Sequence, residues 1–198
     1  MSKQDRPVTR VTTIKRNSKR YRLWLILLLL LALINLGLQW SRSHRQYEGE
    51  AWVVKRVVSG QTLEAQIASD STEIVQRVRL IGVSAPLREQ SPWGERAQRR
   101  LDQLTGNQKV ILEFDIERKD NSDRLLAYVW VGNRLVNAQL IEEGYVVADS
   151  LPPNIKHQED FELVQRKARL MAVGIWDTHN PMRLSPKEFR RQSSQAAS

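Results

Sequence analysis

Leu23 to Trp40 reads LWLILLLLLALINLGLQW, eighteen residues without a charge, with Asn35 and Gln39 its only strongly polar members. No feature of the chain limits its folding more. As a helix the run covers about 27 Å, enough for a thin bilayer core. Trp24 and Trp40 bracket it, as aromatics do at a membrane interface. Two other readings stay open. The run could be a cleaved signal sequence, although no small-x-small site of the Ala-x-Ala kind follows it; Ser41 and Ser43 are crowded by Arg42 and Arg45. It could also be a buried core helix, against which stand its uniform leucine content and the basic residues before it. The expectation is a single transmembrane helix over residues 23–40.

Charge sets the expected orientation. The 198 residues carry 31 Lys+Arg and 22 Asp+Glu, a formal net charge of +9. Taken whole, that suggests a nucleic-acid binder. Residues 1–22 hold eight of the basic residues and a single acid, whereas residues 48–177 hold 17 basic and 20 acidic residues. Residues 178–198 are basic again, with four cations against Glu188. The positive excess therefore lies outside the central segment. Basic residues before an apolar run keep that side in the cytoplasm, so the expectation is a cytoplasmic N-terminus and a domain on the extracytoplasmic side. The expected division is a basic tail 1–22, a transmembrane helix 23–40, a linker 41–49, a folded domain 50–177 and a disordered polar tail 178–198.

The chain has no cysteine, which excludes disulfides, thiolate metal sites and a cysteine nucleophile. His44, His157 and His179 are too scattered for a histidine metal site. Within the domain, Ala51–Val58 and Thr62–Ile67 flank Ser59-Gly60-Gln61 and predict a hairpin. A third strand is predicted over Glu73–Val83. Val110–Glu117 and Leu125–Val131 predict two more, joined by the polar loop Arg118–Arg124. A helix is predicted over Trp93–Leu104 with Pro92 at its first position and Ser91 as its cap. Another is expected over Leu135–Glu143, ended by Gly144. The third is amphipathic, Gln158–Val173, with Phe161, Val164, Ala168 and Met171/Ala172 on one face. Five strands with helices inserted late suggest an α+β domain built on a five-stranded OB-fold barrel with about three helices.

Six motifs, in order and spacing, make the chain resemble the thermonuclease (staphylococcal-nuclease-like) family over about residues 50–177. They are Val58-Ser-Gly-Gln-Thr62, Val78-Arg-Leu-Ile-Gly-Val-Ser-Ala-Pro86, Pro92-Trp-Gly-Glu-Arg-Ala97, Asp120-Asn-Ser-Asp-Arg-Leu-Leu-Ala-Tyr-Val129, Leu135-Val-Asn137 with Gly144, and Gly174-Ile-Trp176. The resemblance implies an OB barrel and a site made of calcium, two arginines and a base glutamate acting on phosphodiesters. Calcium asks for anionic oxygens and polarises phosphate. Arginine forks grip phosphate oxygens. A carboxylate activates the attacking water.

Both family arginines are retained, as Arg79 and Arg124. The family's calcium-ligand positions are Gln61, Ser84 and Ala85, and the position of the base is Leu87. The Tyr-Gly that precedes the second arginine in the family is here Ser122-Asp123. A glutamine and a serine lack the charge that calcium seeks, and leucine is no base. No metal or other cofactor is expected, and calcium only if neighbours rescue the site. Glu64 and Glu89 are the neighbours to consider. Arg79 and Arg124 form either a residual anion pocket or structural pairs with acids such as Asp123 or Glu113. Arg96, Arg99 and Arg100 read as a solvated helix face, His157 as a surface residue near a helix start, and Trp52, Trp93, Trp130 and Trp176 as packing anchors. The leading expectation is a membrane-anchored, catalytically impaired domain that binds or scaffolds a protein partner or an anionic ligand; nucleic acid is not favoured by a slightly acidic domain. The competing expectation is a membrane-tethered nuclease with a rearranged site.

Overall fold

A computed structural model describes residue 24 and residues 27–33, 50–69 and 74–196. Residues 27–33 are helical. Among the described residues no helix is long and apolar enough to cross a membrane. The expected single-pass membrane localisation is therefore overturned, and with it the anchoring and orientation inferred from the flanking charges. The basic segment 1–22, the linker 41–49 and most of residues 23–40 lie outside the described residues.

The domain is built on a hairpin. β1 (Ala51–Ser59) and β2 (Thr62–Ile67) are antiparallel, with Trp52 opposite Ile67 and Val54 opposite Ala65. Alternation sends Trp52 and Val54 inward, and a register shift between Val54 and Arg56 leaves Lys55 and Arg56 facing solvent and returns Val57 to the core. β3 (Gln76–Leu80) adds to β2, pairing Leu63 with Val78. On the other side β5 (Lys109–Glu113) pairs with β1, and β6 (Leu125–Val131) with β5. β6 also runs parallel to β3, Arg79 opposite Leu126 and Leu80 opposite Ala127, which closes a five-stranded barrel. Closure removes the free sheet edges. Leu63, Ala65, Val78, Leu80, Val110 and Val129 are wholly buried inside it. A two-residue strand β7 (Arg134–Leu135) borders β6.

The predicted third strand is interrupted. After Leu80 the chain turns, and β4 (Gly82–Ser84) leaves the barrel to pair with β8 (Val147–Asp149), Gly82 opposite Asp149 and Ser84 opposite Val147. Gly82 makes the turn possible: its φ is +75°, and a Cβ there would collide with the ring of Phe161. β8, unpredicted, is the partner that draws β4 away.

Helix α1 (Trp93–Thr105) lays Ala97, Leu101 and Leu104 on the barrel. Its cap position is Pro92 and carries no side-chain cap bond, so the expected Ser91 cap is not made. Short α2 (Val136–Glu142) buries Leu140 and Ile141. Asn137 holds it in place: its Nδ2 donates to Ile81 O at 2.8 Å, and its Oδ1 accepts from Val129 N at 2.9 Å. α3 (Gln158–Leu170) buries Phe161 and Ala168, with acids in its first turn and bases in its last. It ends before Met171, which is exposed rather than on the inward face. A one-turn 3-10 helix (Gly174–Trp176) follows. The stretch expected as a loose tail carries a fourth helix, α4 (Pro186–Ala196). Ser185 Oγ accepts from Glu188 N, and Glu188 Oε2 accepts from Ser185 N at 2.8 Å, a reciprocal capping box.

Candidate functional site

Arg79 sits on β3 between the buried Val78 and Leu80, so strand alternation turns its side chain away from the core. Its guanidinium folds onto main-chain oxygens. Nη1 donates to Leu80 O, and Nη2 donates to Val83 O at 2.9 Å. Burial lowers its pKa to about 10; the charges of Arg124 and Arg190 act in the same direction, and Asp149 and Asp120 oppose them. It stays a cation at neutral pH.

Arg124 closes the loop before β6. Asp120 builds that loop: its Oδ1 accepts from Ser122 N at 2.9 Å and from Arg124 N at 3.1 Å. Its Oδ2 meets the Arg124 side chain at 2.7 Å through Nε and 2.6 Å through Nη2. Burial works against the Asp120 carboxylate, but these hydrogen bonds prevail and hold its pKa below the usual range. Asp123, standing where the family pattern has glycine, takes φ +59°, a conformation aspartate tolerates better than most residues. The structural partner of Arg124 is thus Asp120. Asp123 pairs with Lys119, and Glu113 lies in a separate cluster.

Arg79 and Arg124 line one pocket of about 360 Å³ with Glu117, Asp120, Asp149 and Asn154. Asp149 arrives on β8, a contribution invisible before that strand was known. Glu64 does not reach the pocket; it pairs with Arg56 at 2.9 Å and Arg77 at 3.5 Å. Glu89 is exposed.

The remaining candidate positions gather on the turn after β1 and on β4. Gln61 Oε1 accepts from Ala85 N at 2.5 Å, so this carbonyl is spent on fixing the loop. Ser84 is buried, and its Oγ accepts from Arg190 Nη2 at 3.0 Å. Ala85 is buried and offers no side-chain oxygen. Leu87 N donates to Gln90 Oε1 at 3.1 Å, and Gln90 Nε2 donates to Leu184 O at 3.0 Å. Among the described residues no three His, Cys, Asp or Glu side chains gather as a metal set. Neutral oxygens already bonded, with a guanidinium beside one of them, do not fit calcium. Arg190 was missed in the sequence because the tail around it was read as unstructured; Ser185-Pro186-Lys187-Glu188 is the signal that marks its helix.

Three other sequence readings change or sharpen. His157 is no surface residue: its side chain is 12% exposed and packs edge-on to Tyr128 at 4.5 Å. It meets Glu113 Oε2 at 3.0 Å, and Trp130 Nε1 donates to the same oxygen at 2.7 Å. Arg100 is not merely solvated, since it joins α1 to Glu143 at 2.6 Å. Trp52, Trp93 and Trp130 are buried as packing anchors.

A closed five-stranded barrel carries the helices, and the two arginines gather at one pocket beside β3 and β6. The model of the family described as staphylococcal nuclease homologue matches residues 77–178, and the chain belongs to that family. It is 36% identical over 157 residues to a thermonuclease of Staphylococcus intermedius, a match covering 77% of this chain and 91% of that protein. A thermonuclease of Staphylococcus hyicus is 36% identical over 132 residues, covering 64% and 76%. Endonuclease YncB of Bacillus subtilis (strain 168) is 33% identical over 127 residues, covering 58% and 60%.

Proposed function

We propose that this nuclease-family domain binds phosphate-bearing anions through Arg79 and Arg124 and does not hydrolyse them by a calcium-dependent route. The supporting observation is the bonding at the positions of the family carboxylates. Gln61 is tied to the Ala85 main chain, Ser84 to Arg190, and Leu87 has no proton-accepting group. Loss of a general base alone removes roughly 100- to 10,000-fold in rate. The two guanidiniums are unaffected by that loss, since anion binding needs only oriented N–H donors and charge. A domain of this kind serves as a binding or scaffolding module, with phosphate as the chemical group it recognises.

The test uses the full chain with single-stranded DNA and RNA, with calcium and with chelator. We expect no cleavage in either condition, together with anion binding that Arg79→Ala and Arg124→Ala abolish. Calcium-dependent cleavage lost on Arg124→Ala overturns the reading. One observation favours a second reading, hydrolysis at a rearranged site. Asp149 lines the pocket beside Arg79 and could hold a water there. That reading requires cleavage that disappears in Asp149→Asn.

A further inference from the structure

Helix α4 stands over a cleft without filling it. Polar ties hold the helix and the chain before it: Met182 N donates to Ile175 O at 2.9 Å, Gln90 Nε2 to Leu184 O at 3.0 Å, and Arg190 Nη2 to Ser84 Oγ at 3.0 Å. Within the helix only Pro186 is buried, so no broad apolar face seats it. A cavity of about 390 Å³ remains beside it, the size of a small-molecule site. β4 and β8 contribute Ser84, Val147 and Asp149 to its lining, α3 contributes Arg169, and residues 182–188 supply much of the rest. Those last residues lie past the family match, which ends at residue 178.

Charge is uneven in this cleft. Arg169, Arg183 and Lys187 line it, and none of the three has an ion-pair partner among the described residues. Of the two acids there, Glu188 is already engaged, accepting from Ser185 N at 2.8 Å and from Ser185 Oγ at 2.6 Å. Asp149 alone is left against three cations. Arg169 is also placed in advance, its guanidinium 4.3 Å from the centre of the Trp176 ring. The Trp176 indole borders the same cleft, and its Nε1 is shielded from solvent and meets no acceptor among the described residues.

We propose that this cleft is a binding site for a small organic oxyanion, a carboxylate or phosphate carried on an apolar body. Arg169, Arg183 and Lys187 meet the anionic group with charge and N–H donors. Val147, Met182 and the Trp176 ring meet the apolar body. A ligand oxygen brought to Trp176 Nε1 satisfies a buried donor that the protein leaves unsatisfied. The volume suits an aryl acid and excludes a folded partner. Arg79 and Arg124 do not line this cleft, so the inference is independent of the phosphate-binding reading above.

Calorimetry on the full chain with benzoate and with phenyl phosphate tests this, against benzyl alcohol and inorganic phosphate as probes that carry only the body or only the charge. At least one aryl anion should bind, roughly ten-fold or more tighter than either control. Benzoate alone assigns a carboxylate ligand, phenyl phosphate alone a phosphate; either supports the site. Arg169→Gln should weaken binding roughly ten-fold. Arg169 is exposed, so this variant should keep the wild-type thermal midpoint. If it does not fold, Lys187→Gln on α4 is judged in its place and should weaken binding about three-fold. The indole N–H proton of Trp176, assigned by its absence in Trp176→Phe, should shift in NMR spectra as the cleft fills. Arg79→Ala should leave the affinity unchanged. No binding of either aryl anion overturns the inference, as does equal binding of benzyl alcohol or of inorganic phosphate. Full affinity in the folded cation variant overturns it, and so does an indole resonance that saturating ligand leaves unmoved. A loss in Arg79→Ala would move the ligand to the arginine pocket and sink the proposal.

Discussion

Single residues divide into those that make the site and those that hold the barrel under it. Glu113 belongs to the second group. Burial alone would raise its pKa; hydrogen bonds from His157, Lys156 and Trp130 outweigh that and hold it at about 2, against an ordinary 4.5. A carboxylate whose pKa is depressed by folding contributes stability in full above its unfolded value. That contribution drains away as pH falls from about 4.5 through about 2. Urea titrations at pH 7, 4 and 2.5 should show the wild type weakening progressively, with a shallower fall in Glu113→Gln. At pH 7 the Gln variant should lose on the order of 2–4 kcal/mol, because His157 and Lys156 are left facing a neutral partner. At the site, Leu87→Glu alone should leave phosphodiester cleavage at background in a fluorogenic assay. It restores an acceptor but no anionic metal ligand at Gln61 or Ser84.

The elements were legible wherever local pattern alone sets them. β1 and β2 follow the placing of their apolar residues, β6 is a continuous apolar run between polar loops, and α1 follows the spacing of Ala97, Leu101 and Leu104. The break at Gly82 was not legible. Residues 78–83 read as continuous strand, and only the ring of Phe161, some eighty positions away, and the pull of β8 turn them aside. Gly82→Ala should therefore cost about 2–4 kcal/mol by chemical denaturation, since it adds both a collision and an unfavourable φ. α4 was overlooked because its composition is polar, yet its capping box was present. Ser185→Ala should lower stability of that helix by about 1 kcal/mol, seen as lost helical circular dichroism on mild heating.

The domain from Gln46 to Ser198 forms one compact unit. Within it the helices brace the barrel through a few polar ties as well as apolar packing. Arg100 on α1 bonds Glu143 after α2 at 2.6 Å and 2.7 Å, and a side-chain hydrogen bond to Glu143 raises the Arg100 pKa. Loss of this tie through Glu143→Ala should lower the thermal midpoint by a few degrees, as read by calorimetry, without touching anion binding. The domain's charge differs from that of the whole chain: residues 48–177 hold 17 basic and 20 acidic residues, against a net +9 overall.

Sequence by itself determined the family, the order of the barrel strands and the identities at the site, because each rests on local pattern or on which side chain is present. It also settled that no cysteine chemistry is available. Only the tertiary structure decided what those identities amount to. Arg79 and Arg124 meet because β3 pairs with β6, and Asp149 joins them because β4 leaves the barrel for β8. Arg190 reaches Ser84 because α4 docks beside β4 and the loop after it. Both are meetings of segments distant along the chain, and electrostatics acts through space, so no local pattern could carry them.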